Sequence, residues 1–102
     1  MIPIVCIVGK RGAGKTYVME RLVAELKNRG YRVATIKHSV HDFDLDQEGK
    51  DSWQHAQAGS DATVISSLQK FALIRKVDHD NTLVELSRFI GSDFNIILAE
   101  GF

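Results

Sequence analysis

The chain has 102 residues and a mass of 11.4 kDa, with 44% hydrophobic and 25% charged residues, which excludes disordered, collagen-like and low-complexity classes and allows one core in a single domain over residues 1–102. Thirteen Lys and Arg balance thirteen Asp and Glu, so no overall field draws the chain to nucleic acid or to an anionic membrane. One Cys excludes an internal disulfide framework, and no apolar run reaches the ~18 residues of a membrane span; a cytoplasmic setting is expected.

Residues 2–8 are a continuous apolar run rich in Ile and Val, the pattern of a parallel strand buried on both faces, with Cys6 as a small core residue. Gly9 to Gly14 is a glycine-rich turn. From Lys15 the period becomes helical: Val18, Leu22, Val23 and Leu26 share one face, and Gly30 is placed as a left-handed cap. Residues 31–37 read as a second strand, followed by a polar stretch from His38 to Lys50. A short helix over 51–58, strands at 62–66 and 71–77, a helix capped by Asp80 or Asn81 and running to Ile90, and a last apolar strand at 94–99 complete the order. Strands alternating with helices predict an α/β fold with a mostly parallel sheet and flanking helices. The segments after residues 8, 37 and 99 then leave the carboxyl ends of strands, where such sheets bind ligands. His55 and His79 are expected at the surface.

Gly9-Lys10-Arg11-Gly12-Ala13-Gly14-Lys15-Thr16 matches G-x-x-x-x-G-K-[ST] in full, between a strand and a helix start. Glycines let backbone N–H groups turn toward phosphate oxygens, and the helix N-terminus adds unpaired donors and partial positive charge. Lys15 is placed on the β- and γ-phosphates and Thr16 on Mg²⁺. Glu100, ending an apolar strand, resembles the second carboxylate of such sites and is a candidate for Mg²⁺ through water. Lys10 resembles the extra loop lysine of the dimeric ParA and MinD ATPases; a solvated loop lysine is the other reading, and the same holds for Arg11. Acids of the segment 37–46 could order Mg²⁺ or the attacking water. His38 and His41 could bind zinc with nearby carboxylates, although no cysteine or distant matched pair completes such a site.

These residues together resemble the MobB family, the molybdopterin-guanine dinucleotide biosynthesis proteins B. Beyond the phosphate loop, the likeness includes Ile36-Lys37-His38 followed by His41 and Asp46, Gly49-Lys50-Asp51-Ser52, Ala58-Gly59, and Ala99-Glu100-Gly101-Phe102. It implies a P-loop NTPase-like fold and a cytoplasmic, homodimeric GTP-binding protein with weak Mg²⁺-dependent GTPase activity. Such a protein acts beside the guanylyltransferase that joins GMP to molybdopterin, with molybdopterin itself as a further candidate ligand. Carried onto this chain, Gly9, Lys10, Arg11, Gly12, Ala13, Gly14, Lys15 and Thr16 hold the nucleotide phosphates, and Lys37 and His38 lie beside them. Thr16 and Glu100 serve Mg²⁺. Family members continue past the Glu-Gly-Phe signature, so residues 1–102 are expected to be the N-terminal part of a longer domain, truncated at its C-terminus.

The mechanism expected is in-line attack by a water ordered by Asp46 or Glu100, with Lys15 offsetting charge on the phosphates. With no arginine finger identified, turnover is expected to be slow. No N-K-x-D sequence is present, so the preference for GTP over ATP follows from the resemblance. A small-molecule kinase and a non-catalytic nucleotide-binding dimeric scaffold are the alternatives.

Overall fold

The computed structural model describes residues 2–10, 12, 14–39 and 51–102. In chain order the elements are β1 (Ile4–Ile7), α1 (Lys15–Asn28), β2 (Val33–Lys37), α2 (Asp51–Gln57), β3 (Ala62–Ser66), β4 (Phe71–Arg75), α3 (Leu83–Ile90) and β5 (Ile96–Glu100). They fall into two compact units: residues 1–41 with 81–102, and residues 42–80.

In the first unit β1, β5 and β2 form a parallel sheet in the order β1-β5-β2. The α/β class with a parallel sheet and flanking helices is therefore what the chain adopts. β5 is paired along both edges, and its Ile97, Leu98 and Ala99 are fully buried or nearly so, as its continuous apolar run requires. β1 reads the same way in sequence but lies at the rim of this sheet, paired with β5 alone among the described residues. Cys6 is exposed rather than buried, and Val5 is exposed with it.

α1 packs on β1 and β2. Met19 is its buried anchor, with Leu22, Val23 and Leu26 half-buried beside it, while Val18 faces solvent. The stripe thus runs one residue round from the one read in sequence, because Met19 falls on the line of Leu22, Val23 and Leu26 at helical spacing. The helix closes in a Schellman motif: Tyr31 N–H donates to the Leu26 carbonyl and Gly30 N–H to that of Lys27.

The α3 cap is Thr82, not Asp80 or Asn81. Its hydroxyl accepts from Glu85 N–H at 3.2 Å, and the Glu85 carboxylate accepts from Thr82 N–H at 3.1 Å. Only Thr82 has Glu three residues on, so only Thr82 can form the reciprocal box. Thr82→Ala is expected to lower stability by about 1 kcal/mol in urea denaturation, with the sheet intact by circular dichroism.

The amino end of the β2–β5 pair is fastened by Arg32 and Asn95. Arg32 N–H donates to Asn95 Oδ1 and Asn95 N–H to the Arg32 carbonyl, each at 2.8 Å. The Arg32 guanidinium donates to the Asp93 carbonyl at 2.7 Å and lies over the Phe94 ring.

In the second unit β3 and β4 form an antiparallel pair of their own, with Val64 opposite Leu73, rather than two more strands of the parallel sheet. Residues 67–70 are too few for a parallel crossover, which takes roughly a dozen residues. Ser67 N–H donates to the Lys70 carbonyl to close the turn. α2 packs on β3.

Candidate functional site

The parallel register aligns three strand ends. Ile7, Glu100 and Lys37 stand level across β1, β5 and β2, so the loop from Gly9, the carboxylate of Glu100 and the exit of β2 share the carboxyl edge of one sheet. This is where the order of strands reads as a ligand site in α/β folds.

In the phosphate-loop segment, Gly12 and Gly14 both have φ near +84°, and a Cβ at either would meet nothing within 4 Å. Glycine is needed there for the left-handed backbone, and the space beside it is open to a ligand. Gly14 is the N-cap of α1; no side chain caps the helix and its first turn holds no acid. The donors at Lys15, Thr16 and Tyr17 therefore face the positive end of a 14-residue helix without a capping carboxylate or hydroxyl. Lys15 is half-buried at the first helical position, and Thr16 and Lys10 are exposed. Arg11 and Ala13 lie outside the described residues.

Glu100 is the one acid on this edge among the described residues, and its side chain is only 11% exposed. Its Oε1 is 3.8 Å from Lys37 Nζ, a long contact to a side chain that is 75% exposed. Oε2 is buried, and no described group donates to it. A buried carboxylate oxygen without a donor costs about 1–3 kcal/mol, and one exposed lysine at this distance does not offset it. A hydrogen-bond donor or a cation would complete it. The oxygen donors Thr16 and Glu100 match the hard-cation preference of Mg²⁺.

His38 continues the β2–β5 ladder. Its N–H donates to the Glu100 carbonyl at 2.9 Å, its ring Nδ1 lies 3.2 Å from the Gly101 carbonyl, and its ring stands 4.8 Å from that of Phe102. The Glu-Gly-Phe end was legible as a signature; its contact with His38 was not, because nothing local in sequence pairs residues 63 positions apart.

Asp46, His41, Gly49 and Lys50 lie outside the described residues. Asp51 and Ser52 open α2 in the second unit. Among the described residues no three His, Cys, Asp or Glu side chains gather as a metal site, and no helix is long and apolar enough to cross a membrane. His55 and His79 are exposed. A hydrogen bond from His79, then its charge, holds the Asp78 carboxyl below the usual range; both side chains are exposed, and the 2.6 Å pair is a local turn contact.

Residues 4–102 match the profile of one protein family, described as molybdopterin guanine dinucleotide synthesis protein B. The molybdopterin-guanine dinucleotide biosynthesis adapter protein of Haemophilus influenzae is 37% identical over 102 residues, covering 99% of this chain and 57% of that protein. The protein of the same description from Escherichia coli K12 is 37% identical over 105 residues, covering all of this chain and 60% of the relative. The crystal structure of Bacillus subtilis MobB superposes with a TM-score of 0.76 at 34% identity, covering 99% of this chain and 61% of that one. The chain thus spans about 60% of the length of these relatives.

Proposed function

The chain belongs to the MobB family, and on that premise we propose that it is the phosphate-binding part of a GTP-binding adapter in molybdopterin guanine dinucleotide synthesis. One observation supports this above the rest: the uncapped start of α1 at Gly14-Lys15-Thr16 shares a sheet edge with the undonated, buried oxygen of Glu100. An uncapped helix start suits an anion and an unpaired carboxylate suits a cation, and a nucleotide triphosphate with its metal brings both charges.

In this reading the loop 9–16 cradles the β- and γ-phosphates through backbone N–H groups, and Lys15 adds a point charge there. Thr16 and Glu100 would hold Mg²⁺, which when bound supplies charge neutralisation on the phosphate oxygens. Lys37 sits beside Glu100 and lends positive charge to the same edge. Hydrolysis is slow in this proposal, since no guanidinium among the described residues is assigned to the transferred group and positioning and electrostatics act alone. The protein then serves as carrier or switch beside the guanylyltransferase that joins GMP to molybdopterin. Both cited relatives carry the description of adapter, which supports that role over a metabolic kinase.

Calorimetric titration of GTP and of ATP, each with Mg²⁺, tests the reading. GTP is expected to bind at least ~10-fold tighter, about 1.4 kcal/mol. Equal or tighter ATP binding would move the protein to the ATPases or kinases, and binding of neither would end the nucleotide reading.

The proposal includes a homodimer. Val64, Phe71 and Leu73 form an apolar row on one face of the β3–β4 pair, exposed by 61%, 73% and 49%, a larger patch than scattered single residues make. Sedimentation equilibrium is expected to give a dimer for the unchanged chain and a monomer for Phe71→Asp. A monomer for both would remove the dimer from the proposal.

A further inference from the structure

Past the last rungs of the parallel ladder, β2 and β5 stay joined. The register ends at Lys37 opposite Glu100, yet three more contacts follow. His38 N–H donates to the Glu100 carbonyl at 2.9 Å. His38 Nδ1 lies 3.2 Å from the Gly101 carbonyl oxygen, which has no proton to give, so the ring nitrogen is the donor. The His38 and Phe102 rings stand 4.8 Å apart with 35° between their planes. Between them Gly101 has φ +89°, and a Cβ there would lie 2.3 Å from the His38 carbonyl oxygen and 3.1 Å from its carbon. Backbone occupies that space, so no side-chain movement could make room.

These contacts grip the backbone at and after Glu100, whose carboxylate has little to hold it among the described residues. Among the described residues Oε2 of Glu100 has no donor and Oε1 has only Lys37 at 3.8 Å. The aim of the carboxylate is therefore set by the backbone of Glu100, which the ladder grips on one side and His38, Gly101 and Phe102 grip on the other. We propose that His38, Gly101 and Phe102 form a positioning joint that holds Glu100 for the cation of a bound nucleotide, His38 acting through Glu100 and not by touching the ligand. This rests on the reading of Glu100 given above. The His38 and Phe102 side chains lie past the last rungs of the ladder of β1, β5 and β2, so their loss is expected to act on the cation more than on the fold. Groups that orient a metal ligand typically change metal affinity by about 10–100-fold.

The test uses the full-length protein. GTP affinity is measured by calorimetry in EDTA and in Mg²⁺, and the ratio of the two is the readout; thermal melting is followed alongside. Phe102→Ala and His38→Ala are expected to cut the Mg²⁺ enhancement about tenfold or more, with affinity in EDTA and melting temperature near those of the unchanged protein. His38→Asn keeps a donor close to the Nδ1 position and is expected to restore most of the enhancement. Nitrogen NMR of the imidazole is expected to find the Nδ1–H tautomer in neutral His38 without nucleotide. Gly101→Ala is expected to fail in both folding and binding, which is why the joint is judged on the other variants. An unchanged Mg²⁺ enhancement in Phe102→Ala overturns the joint. So does an equal loss with and without Mg²⁺ in His38→Ala, which would make His38 a nucleotide contact, and so does an Nε2–H tautomer. If the unchanged protein binds GTP equally with and without Mg²⁺, the cation reading of Glu100 fails and this role falls with it; the tautomer and melting data then separate that failure from a missing His38–Gly101 bond.

Discussion

Lys15→Ala is expected to weaken GTP binding in Mg²⁺ by at least ~10-fold, about 1.4 kcal/mol, and more where the γ-phosphate is present than with GDP. Lys15 is the first residue of α1 and half-buried at the site edge. In the proposed function its ammonium group meets the same anion as the helix donors. Ala has the highest helix propensity of any residue, so the helix itself does not suffer from the change. The melting temperature should stay within a few degrees, which makes calorimetry a clean reading of the charge. Retained affinity would place the phosphates elsewhere than on this loop. Loss of affinity with loss of melting temperature would mean that Lys15 also packs.

The second large effect belongs to the core. Leu98→Ala is expected to cost about 2–5 kcal/mol by urea denaturation. Leu98 is 1% exposed in the central strand, and only Met19, Ile97, Leu98 and Ala99 are buried hydrophobics among the described residues. With so small a core, that cost is a large share of the ~5–15 kcal/mol that holds a typical domain. Val5→Thr, on the solvent-facing rim of β1 at 43% exposure, is expected to change stability by less than about 0.5 kcal/mol. A cost at Val5 comparable to that at Leu98 would mean that β1 is covered in solution.

The pairing of these two results reflects how the site is built. β5 supplies both the buried residues and, at its end, Glu100. A strand that is gripped along both edges is the stiffest place in the sheet from which to present a carboxylate. The loop from Gly9 and the exit at Lys37 come from the strands on either side of it. The groups proposed to bind phosphate and cation thus leave the ends of adjacent paired strands.

Much of this was legible in the amino acids because it depends on neighbours in the chain. The loop 9–16 announces itself by glycine spacing, since left-handed backbone at Gly12 and Gly14 is a local demand. Gly30 ends α1 for the same local reason, and the extents of α1, β2 and β3 follow from periodicity and β-branching. The cap at Thr82 was missed in favour of Asp80 or Asn81, although Glu three residues on marks it as the capping-box residue.

Which apolar strand lies in the middle was not legible in the amino acids. β1 and β5 have the same continuous apolar character, yet β5 is buried and β1 is at the rim, with Cys6 exposed. Strand order is a property of pairing between distant segments, and a run of Ile and Val carries no label for its partners. The same holds for β3 and β4, which a short turn joins as an antiparallel pair, and for Glu100, which the pairing places between the ends of β1 and β2. The amino acids alone set out the chemistry on offer, a glycine-rich loop with its Lys15, a carboxylate at Glu100 and a lysine at Lys37. The fold decided that they share one edge, because the register of three parallel strands is set by long-range hydrogen bonds and not by the residues that the register brings together.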